Sequence, residues 1–386
     1  MFCALLVVLA VDLEAATYKT LYSFTGFSDA GTPFAGVIFD RYGNLYGVAA
    51  WGQTNEGNVY RLSPYQGEWK FTSLHRFALN DTEASEPIGG LALDEFGNLY
   101  GTGSYVHGPS DACSSVFKLS SEGFTIIHYF YGEDGCDAES DLSYFDGRLW
   151  GTTRSGGSKG QGTVFSMDTQ GDSFRADSFW GMRGSEPLGG INSWGYGTTF
   201  SGGGSSVGNI YKLDSALGFI NKFSFSSIRK AGYAPRGNLL TAEIGGVRTM
   251  FGTNSAGGAL GGGSVYRLTE VEPQSDRWRV TALYSFAEGS SDGYAPMAGL
   301  TADAAGNLYG TTFMGGNSDW NCGTVFKLSP QKNGKWIYTV LYQFNGYESD
   351  GCNPTSGVVL DGAGNLYGTT TAGGDYSAGT IYEITP

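Results

Sequence analysis

One short block recurs along the chain and constrains its fold more than any other feature. GNLYG occurs at 43–47, 97–101, 306–310 and 364–368, with weaker copies GRLWG at 147–151, SWGYG at 193–197 and VRTMFG at 247–252. The closing glycines, Gly47, Gly101, Gly151, Gly197, Gly252, Gly310 and Gly368, lie 46 to 58 residues apart. Seven copies at that period predict a propeller, because each copy is a small sheet that cannot bury its own faces alone. A β-helix is the runner-up, but its repeats are much shorter.

Each copy reads as four strands. An apolar run ending in Asp comes first (GLALD at 90–94, GLTAD at 299–303, GVVLD at 357–361). A Gly-Asn hairpin and the aromatic-Gly-Thr-Thr strand follow. A Gly-Gly loop then leads to the third strand, VYRLS at 59–63 or VFKLS at 116–120 and 325–329. A fourth run, TALYSF at 281–286 or TVLYQF at 339–344, closes the unit. The chain opens on a fourth-strand element, TLYSF at 20–24, and ends on a third-strand element, TIYEI at 380–384. The expectation is an all-β, seven-bladed propeller over 17–386, with four-stranded blades and a ring closed by the N-terminal strand completing the last blade.

Composition agrees. The 386 residues include 63 Gly, 24 Tyr, 24 Phe and 8 Trp, with only 11 Pro. This excludes collagen, disorder and coiled coil. A formal net charge of −14 without a basic cluster argues against nucleic acid and anionic membrane surfaces. No apolar run reaches 18 residues, so no helical membrane span is expected.

Residues 1–16 read as a truncated signal peptide: an apolar stretch from Phe2 to Val11, then Ala15 and Ala16. No Lys or Arg precedes Lys19, which a start codon set slightly late would explain. A buried N-terminal strand is the competing reading. Cys3 lacks a lipobox-like run and is not read as a lipid anchor.

Four of the five cysteines fall into register. Cys113 and Cys322 share the loop before the third strand, as CSSVFKL and CGTVFKL. Cys136 and Cys352 share the loop entering the next blade, as EDGC and SDGC. Both loops belong to one face of a propeller. Of three connectivities, only Cys113–Cys136 with Cys322–Cys352 joins neighbours. A metal site would need His partners that these pairs lack. Disulfides imply an oxidising compartment.

The unit GLxxDxxGNLYGTTxxGG…GTVFKLSP resembles the GloVer tandem repeat of exported bacterial proteins with variable C-terminal anchors. The resemblance runs from about Thr17 to the end and is sharpest at 97–101, 306–316 and 364–374. It implies a secreted or surface-attached propeller with no established activity. The chain stops at Pro386 straight after the last strand, so a freely secreted or periplasmic form is expected.

Candidate chemistry is sparse. His75 and His128 fall where other copies carry Tyr22, Tyr284 and Tyr342, an outer edge position; His107 lies in a loop. No metal-type His spacing and no G-x-S-x-G elbow occurs. An acid recurs four positions before the proline of the entry loop: Asp29, Glu83, Asp292 and Asp350, with Asp134 matching before Ala138. Arg183 and Ala231 break the series. These acids either bind a cation such as calcium and serve acid–base chemistry, or cap their turns; capping is the favoured reading. No cofactor is otherwise called for.

Tyr46, Tyr100, Trp150, Tyr196, Phe251, Tyr309 and Tyr367 recur in every copy and are expected to pack blade on blade. Beyond the Gly-Thr-Thr strand the symmetry breaks: Trp51, Tyr105, Arg154, Phe200 and Phe313 contrast with Ser255 and Thr371. Together with Trp320 they are expected to rim the central opening, although packing under the loops accounts for many such aromatics. The leading expectation is a secreted, monomeric binding or structural module for an extracellular glycan or surface protein. The alternative is a carbohydrate-active enzyme, a polysaccharide lyase or glycoside hydrolase, working from the same face.

Overall fold

A computed structural model of the chain describes residues 16–53, 57–77, 84–106, 111–214, 218–225, 229–273, 275–316 and 320–386. The leader segment, Cys3, Glu83 and His107 lie outside the described residues. Seven antiparallel sheets are arranged as the blades of a propeller, and no helix is long and apolar enough to cross a membrane.

Blade 1 runs Ile38–Phe39, Leu45–Ala49, Asn58–Tyr65, Glu68–Arg76 from channel to rim; blades 2, 3 and 6 repeat that order, and blade 5 does so with one extra short strand, Tyr233–Pro235, paired to the far end of Val247–Ala256. Blade 7 takes Val359–Leu360, Leu366–Thr370 and Thr380–Thr385 from the end of the chain and Thr17–Ser23 from its beginning. Thr17 stands opposite Thr385 and Ser23 opposite Thr380, so the ring closes on backbone hydrogen bonds as expected. Blade 4 departs from four strands. Tyr196–Thr199, Asn209–Leu213 and Phe219–Ser224 pair, while its inner segment turns at Asn192, whose N–H bonds the Tyr196 carbonyl at 2.9 Å.

The repeat motif is a set of local bonds. In four blades the Asp closing the first run bonds three different partners. Asp303 accepts the backbone N–H groups of Ala305 and Asn307 on one oxygen, and the Asn307 amide and Tyr309 hydroxyl on the other, at 2.6–3.0 Å. Asp40, Asp94 and Asp361 do the same. Burial pushes each carboxyl up, but these bonds outweigh it and hold all four below the usual carboxylate range.

The two threonines of Gly-Thr-Thr divide the work. The first reaches the next blade: Thr253 donates to the Ala298 carbonyl at 2.6 Å and Thr311 to that of Ser356 at 2.7 Å. The second pairs across its own blade, as Thr153 with Thr163 and Thr370 with Thr380, both at 2.8 Å. The glycine before them lets the third-strand ring pack flat on the backbone. A Cβ at Gly47 would come within 2.4 Å of the Tyr60 hydroxyl.

Aromatic contacts then join blade to blade. Tyr367 meets Trp69, Tyr196 meets Trp278 and Phe251 meets Trp336 edge-on, each pair bridging two blades. A second, outer belt stacks fourth strands face to face: Tyr22 on Phe71, His75 on Phe124, His128 on Phe174, Tyr284 on Tyr338 and Tyr342 on Tyr18, at 3.8–4.2 Å. His75 and His128, read from sequence as edge residues, are thus ring partners of the neighbouring blade.

Candidate functional site

The entry segment of each blade carries a residue in the left-handed backbone region, followed by proline in every blade except the third. These are Thr32, Glu86, Asp137, Glu186, Ala234, Ala295 and Asn353, with φ between 52° and 60°. Non-glycine residues avoid this region. Here it is held on the carbonyl side by the strand that follows: the N–H of Arg154 bonds the Asp137 carbonyl at 2.9 Å, Phe200 bonds Glu186 at 2.9 Å and Phe313 bonds Ala295 at 3.1 Å. A second staple sits one residue further out, where Gly31 bridges Trp51, Ser85 pairs with Tyr105, Cys136 bridges Ser155 and Tyr294 bridges Met314.

This geometry defines two columns of side chains at the mouth of the central channel. The residue after the proline position is Phe34, Ile88, Glu139, Leu188, Arg236, Met297 and Thr355, all lining one cavity of about 730 Å3. The residue three beyond the second-strand glycine is Ala50, Ser104, Arg154, Phe200, Ser255, Phe313 and Thr371. Arg154, Phe200 and Phe313 therefore stand in true register. Trp51 and Tyr105 lie one position later, in the outer staple.

Contacts tie most of the expected residues to this mouth. Phe313 lines the cavity. Trp51, 41% exposed, sets its ring edge-on to Phe34 at 4.9 Å. Arg154 pairs with Glu139 at 3.5 Å, and the Arg236 guanidinium lies 5.0 Å from the Phe200 ring centroid. Trp320 does not line the cavity; its indole N–H donates to the Tyr347 hydroxyl at 2.5 Å, in the loops beside the Cys322–Cys352 bridge. Both disulfides, Cys113–Cys136 and Cys322–Cys352, form as the register predicted and lie on this same face. Exposed Phe27, Tyr131, Trp180, Tyr347 and Tyr376 stand in the loops around it.

The electrostatics concentrate in blades 3 to 5. Burial pushes the Glu139 carboxyl up, only partly offset by Arg154. Burial and the Arg154 charge both lower Arg236, against the pull of Glu139 and Glu186. Below the mouth, Asp141 accepts the Gly90 N–H at 2.8 Å and the Asn238 amide at 2.9 Å, while Asn238 accepts from the Gly190 N–H. Asp141 and Asn238 occupy positions where the other five blades have glycine, and this bonded pair narrows the throat. Burial raises the Asp141 carboxyl.

The recurrent entry-loop acids hold their own loops. Asp29 bonds the Tyr22 hydroxyl at 2.8 Å and the Thr25 N–H at 2.9 Å; Asp134 bonds His128 at 2.9 Å and the Tyr131 N–H at 2.8 Å. Asp292 bonds the Tyr284 hydroxyl at 2.8 Å, and Asp350 the N–H groups of Asn345 and Gly351. Each fastens an entry loop to the outer aromatic belt, as a capped turn does. Among the described residues no three His, Cys, Asp or Glu side chains gather as metal ligands do.

Sequence reading missed Phe34, Glu139, Asp141, Arg236 and Asn238. The signal was there in the entry segments: aligned on the proline, Glu139 and Asp141 in blade 3 and Arg236 and Asn238 in blade 5 break the same two columns.

The Gloeobacter/Verrucomicrobia repeat model matches the chain three times, over residues 7–154, 103–270 and 247–386. Among curated proteins none matches. Among solved structures, the extracellular domain of a "putative one component system" from B. thetaiotaomicron aligns with a TM-score of 0.55 at 11% identity, over 95% of this chain and 40% of that one. A "putative 6-phosphogluconolactonase" from Bacteroides uniformis gives 0.54 at 15% identity, over 88% and 90%. An alpha-L-arabinanase from Penicillium chrysogenum gives 0.49 at 12% identity, over 96% and 97%. At such identities the likeness is one of fold alone.

Proposed function

Because the chain belongs to the Gloeobacter/Verrucomicrobia repeat family, whose repeat here accounts for the ring, we propose that its function lies where the repeat is broken. The protein is an exported binding module that takes an extracellular glycan at the mouth of its central channel. One observation carries this reading: Glu139, Arg154, Phe200, Arg236, Phe313 and Phe34, none of them required by the blade motif, are linked by direct contacts or shared lining around one cavity. Aromatic faces beside charged hydrogen-bonding groups suit a sugar, whose ring has an apolar face and a polar edge. The two disulfides support an oxidising, extracellular or periplasmic setting. Titration calorimetry against a panel of soluble polysaccharides tests it. Binding that is lost in Phe313→Ala and Trp51→Ala supports the mouth; binding indifferent to both, or confined to a protein partner, overturns it.

A second reading, a lyase or hydrolase acting at the same mouth, has one observation in its favour. Burial raises Glu139 beside the cavity, as a general acid requires. Release of new chain ends from a polysaccharide, abolished in Glu139→Gln, would establish it.

A further inference from the structure

The charges at the mouth are unevenly satisfied, and the imbalance specifies the ligand further; this step rests on the glycan reading above. Arg154 has a carboxylate partner in Glu139 at 3.5 Å and is 48% exposed at its side chain. Arg236 makes no ion pair among the described residues. One of its terminal nitrogens faces only the Met297 sulfur, at 3.4 Å, and its Nε is buried without a hydrogen-bond partner. Its guanidinium carbon lies over the Phe200 ring, 5.0 Å from the centroid, a contact that positions the fork before any ligand arrives. The two acids whose charge reaches it bond elsewhere: Glu139 pairs with Arg154 at 3.5 Å and Glu186 accepts from Ser201 at 3.2 Å.

A half-buried guanidinium that lines the cavity without an ion pair leaves donors unmet, and a planar carboxylate answers two of them at once. A neutral hydroxyl supplies one acceptor and no charge. The position is also selective within the ring, since six of the seven blades place Phe, Ile, Glu, Leu, Met or Thr there.

We infer that the glycan is acidic: a saccharide carrying a uronate carboxylate, seated on Arg236 with Arg154 beside it, its ring face turned toward Phe34 and Phe313. Arg154 stands beside Arg236 at the same mouth, with 48% of its side chain exposed and Glu139 as its ion-pair partner at 3.5 Å.

The test uses the full chain with its disulfides intact and three defined probes in titration calorimetry: trigalacturonate, its methyl ester, and a neutral arabinotriose, with a sulfated trisaccharide as a fourth arm. Trigalacturonate is expected to bind at least about tenfold tighter than the ester or the neutral sugar. Arg236→Gln is expected to lose that margin, and Arg236→Lys to recover only part of it, because a point charge cannot accept a carboxylate in bidentate fashion. Arg154→Ala, a change at an exposed side chain, gives an independent loss should Arg236→Gln fold poorly. Equal binding of the neutral sugar and trigalacturonate, unchanged in both variants, overturns the acidic assignment while leaving the glycan reading intact. Preference for the sulfated sugar over trigalacturonate overturns the carboxylate. Binding of none of the four overturns the assignment as well, and binding to no member of the wider polysaccharide panel is what sinks the glycan reading beneath it.

Discussion

The carboxylate of Asp276 in blade 5 accepts the hydroxyl hydrogen of Tyr196 in blade 4. In blades 1, 2, 6 and 7 the equivalent tyrosine bonds the Asp of its own hairpin. Blade 4 has Asn192 at that position, which keeps the two backbone bonds, to Trp194 and Tyr196, but leaves the hydroxyl to a neighbour. Asp276 also gathers Lys212 at 2.6 Å, Lys222 at 3.2 Å and Arg248 at 3.6 Å, so the blade with the fewest paired strands is tied to the next one by charge.

Asp276→Ala is therefore expected to cost about 2 kcal/mol, less than a fully buried pair because these groups are partly solvated. The check is urea denaturation at pH 7. Burial pushes this carboxyl up, yet its bonds to Lys212, Tyr196 and Lys222 hold it well below the usual range. A folded value below the unfolded one means stability that is present at neutral pH and is lost as acid titrates the group. The acid limb of the stability curve, below about pH 4, should be shallower in the variant than in the parent.

The hairpin Asp residues give a graded prediction. Asp303→Ala removes four accepted hydrogen bonds and is expected to cost about 2 kcal/mol. Asp303→Asn, which can keep the backbone bonds as Asn192 does, should cost less than half of that. Thermal melting of the three proteins measures the order; equal costs would contradict the role assigned to the oxygen that accepts the backbone N–H groups.

The third-strand rings separate packing from polarity. The Tyr60 hydroxyl is buried without a hydrogen-bond partner among the described residues, and Phe117, Phe165 and Phe326 fill the same position in other blades. Tyr60→Phe is expected to be neutral or to stabilise by up to about 1 kcal/mol. Gly47→Ala should destabilise by about 3 kcal/mol, since its Cβ meets the ring of Tyr60 inside a packed blade. Paired denaturation curves decide both.

The disulfides join residues 23 and 30 positions apart. Loops of that size correspond to about 3 kcal/mol each in the chain-entropy account. Melting with and without a phosphine reductant should show a clear drop, and non-reducing peptide mapping should return these two pairs.

How legible each part was follows from how local its cause is. The Asp-x-x-Gly-Asn-x-Tyr hairpin is closed by bonds spanning two to six residues, so its spelling survives wherever the geometry does. The cysteine pairs were legible for a related reason: identical loops repeated in two blades placed them on one face. The outer belt was not. Tyr22 and Phe71, or His75 and Phe124, sit 49 residues apart in different blades, and nothing near either residue announces its partner.

The mouth shows the limit most clearly. Trp51 and Arg154 look equivalent when read from the nearest glycine, but a strand alternates its side chains, so an offset of one residue sends them to different neighbours. By itself the sequence determined the seven-fold ring, its closure and its disulfides, because repetition records what every blade must do locally. Only the tertiary structure decided the candidate site. Arg236 meets Phe200 and Asp141 meets Asn238 because ring closure brings the irregular positions of separate blades around one axis.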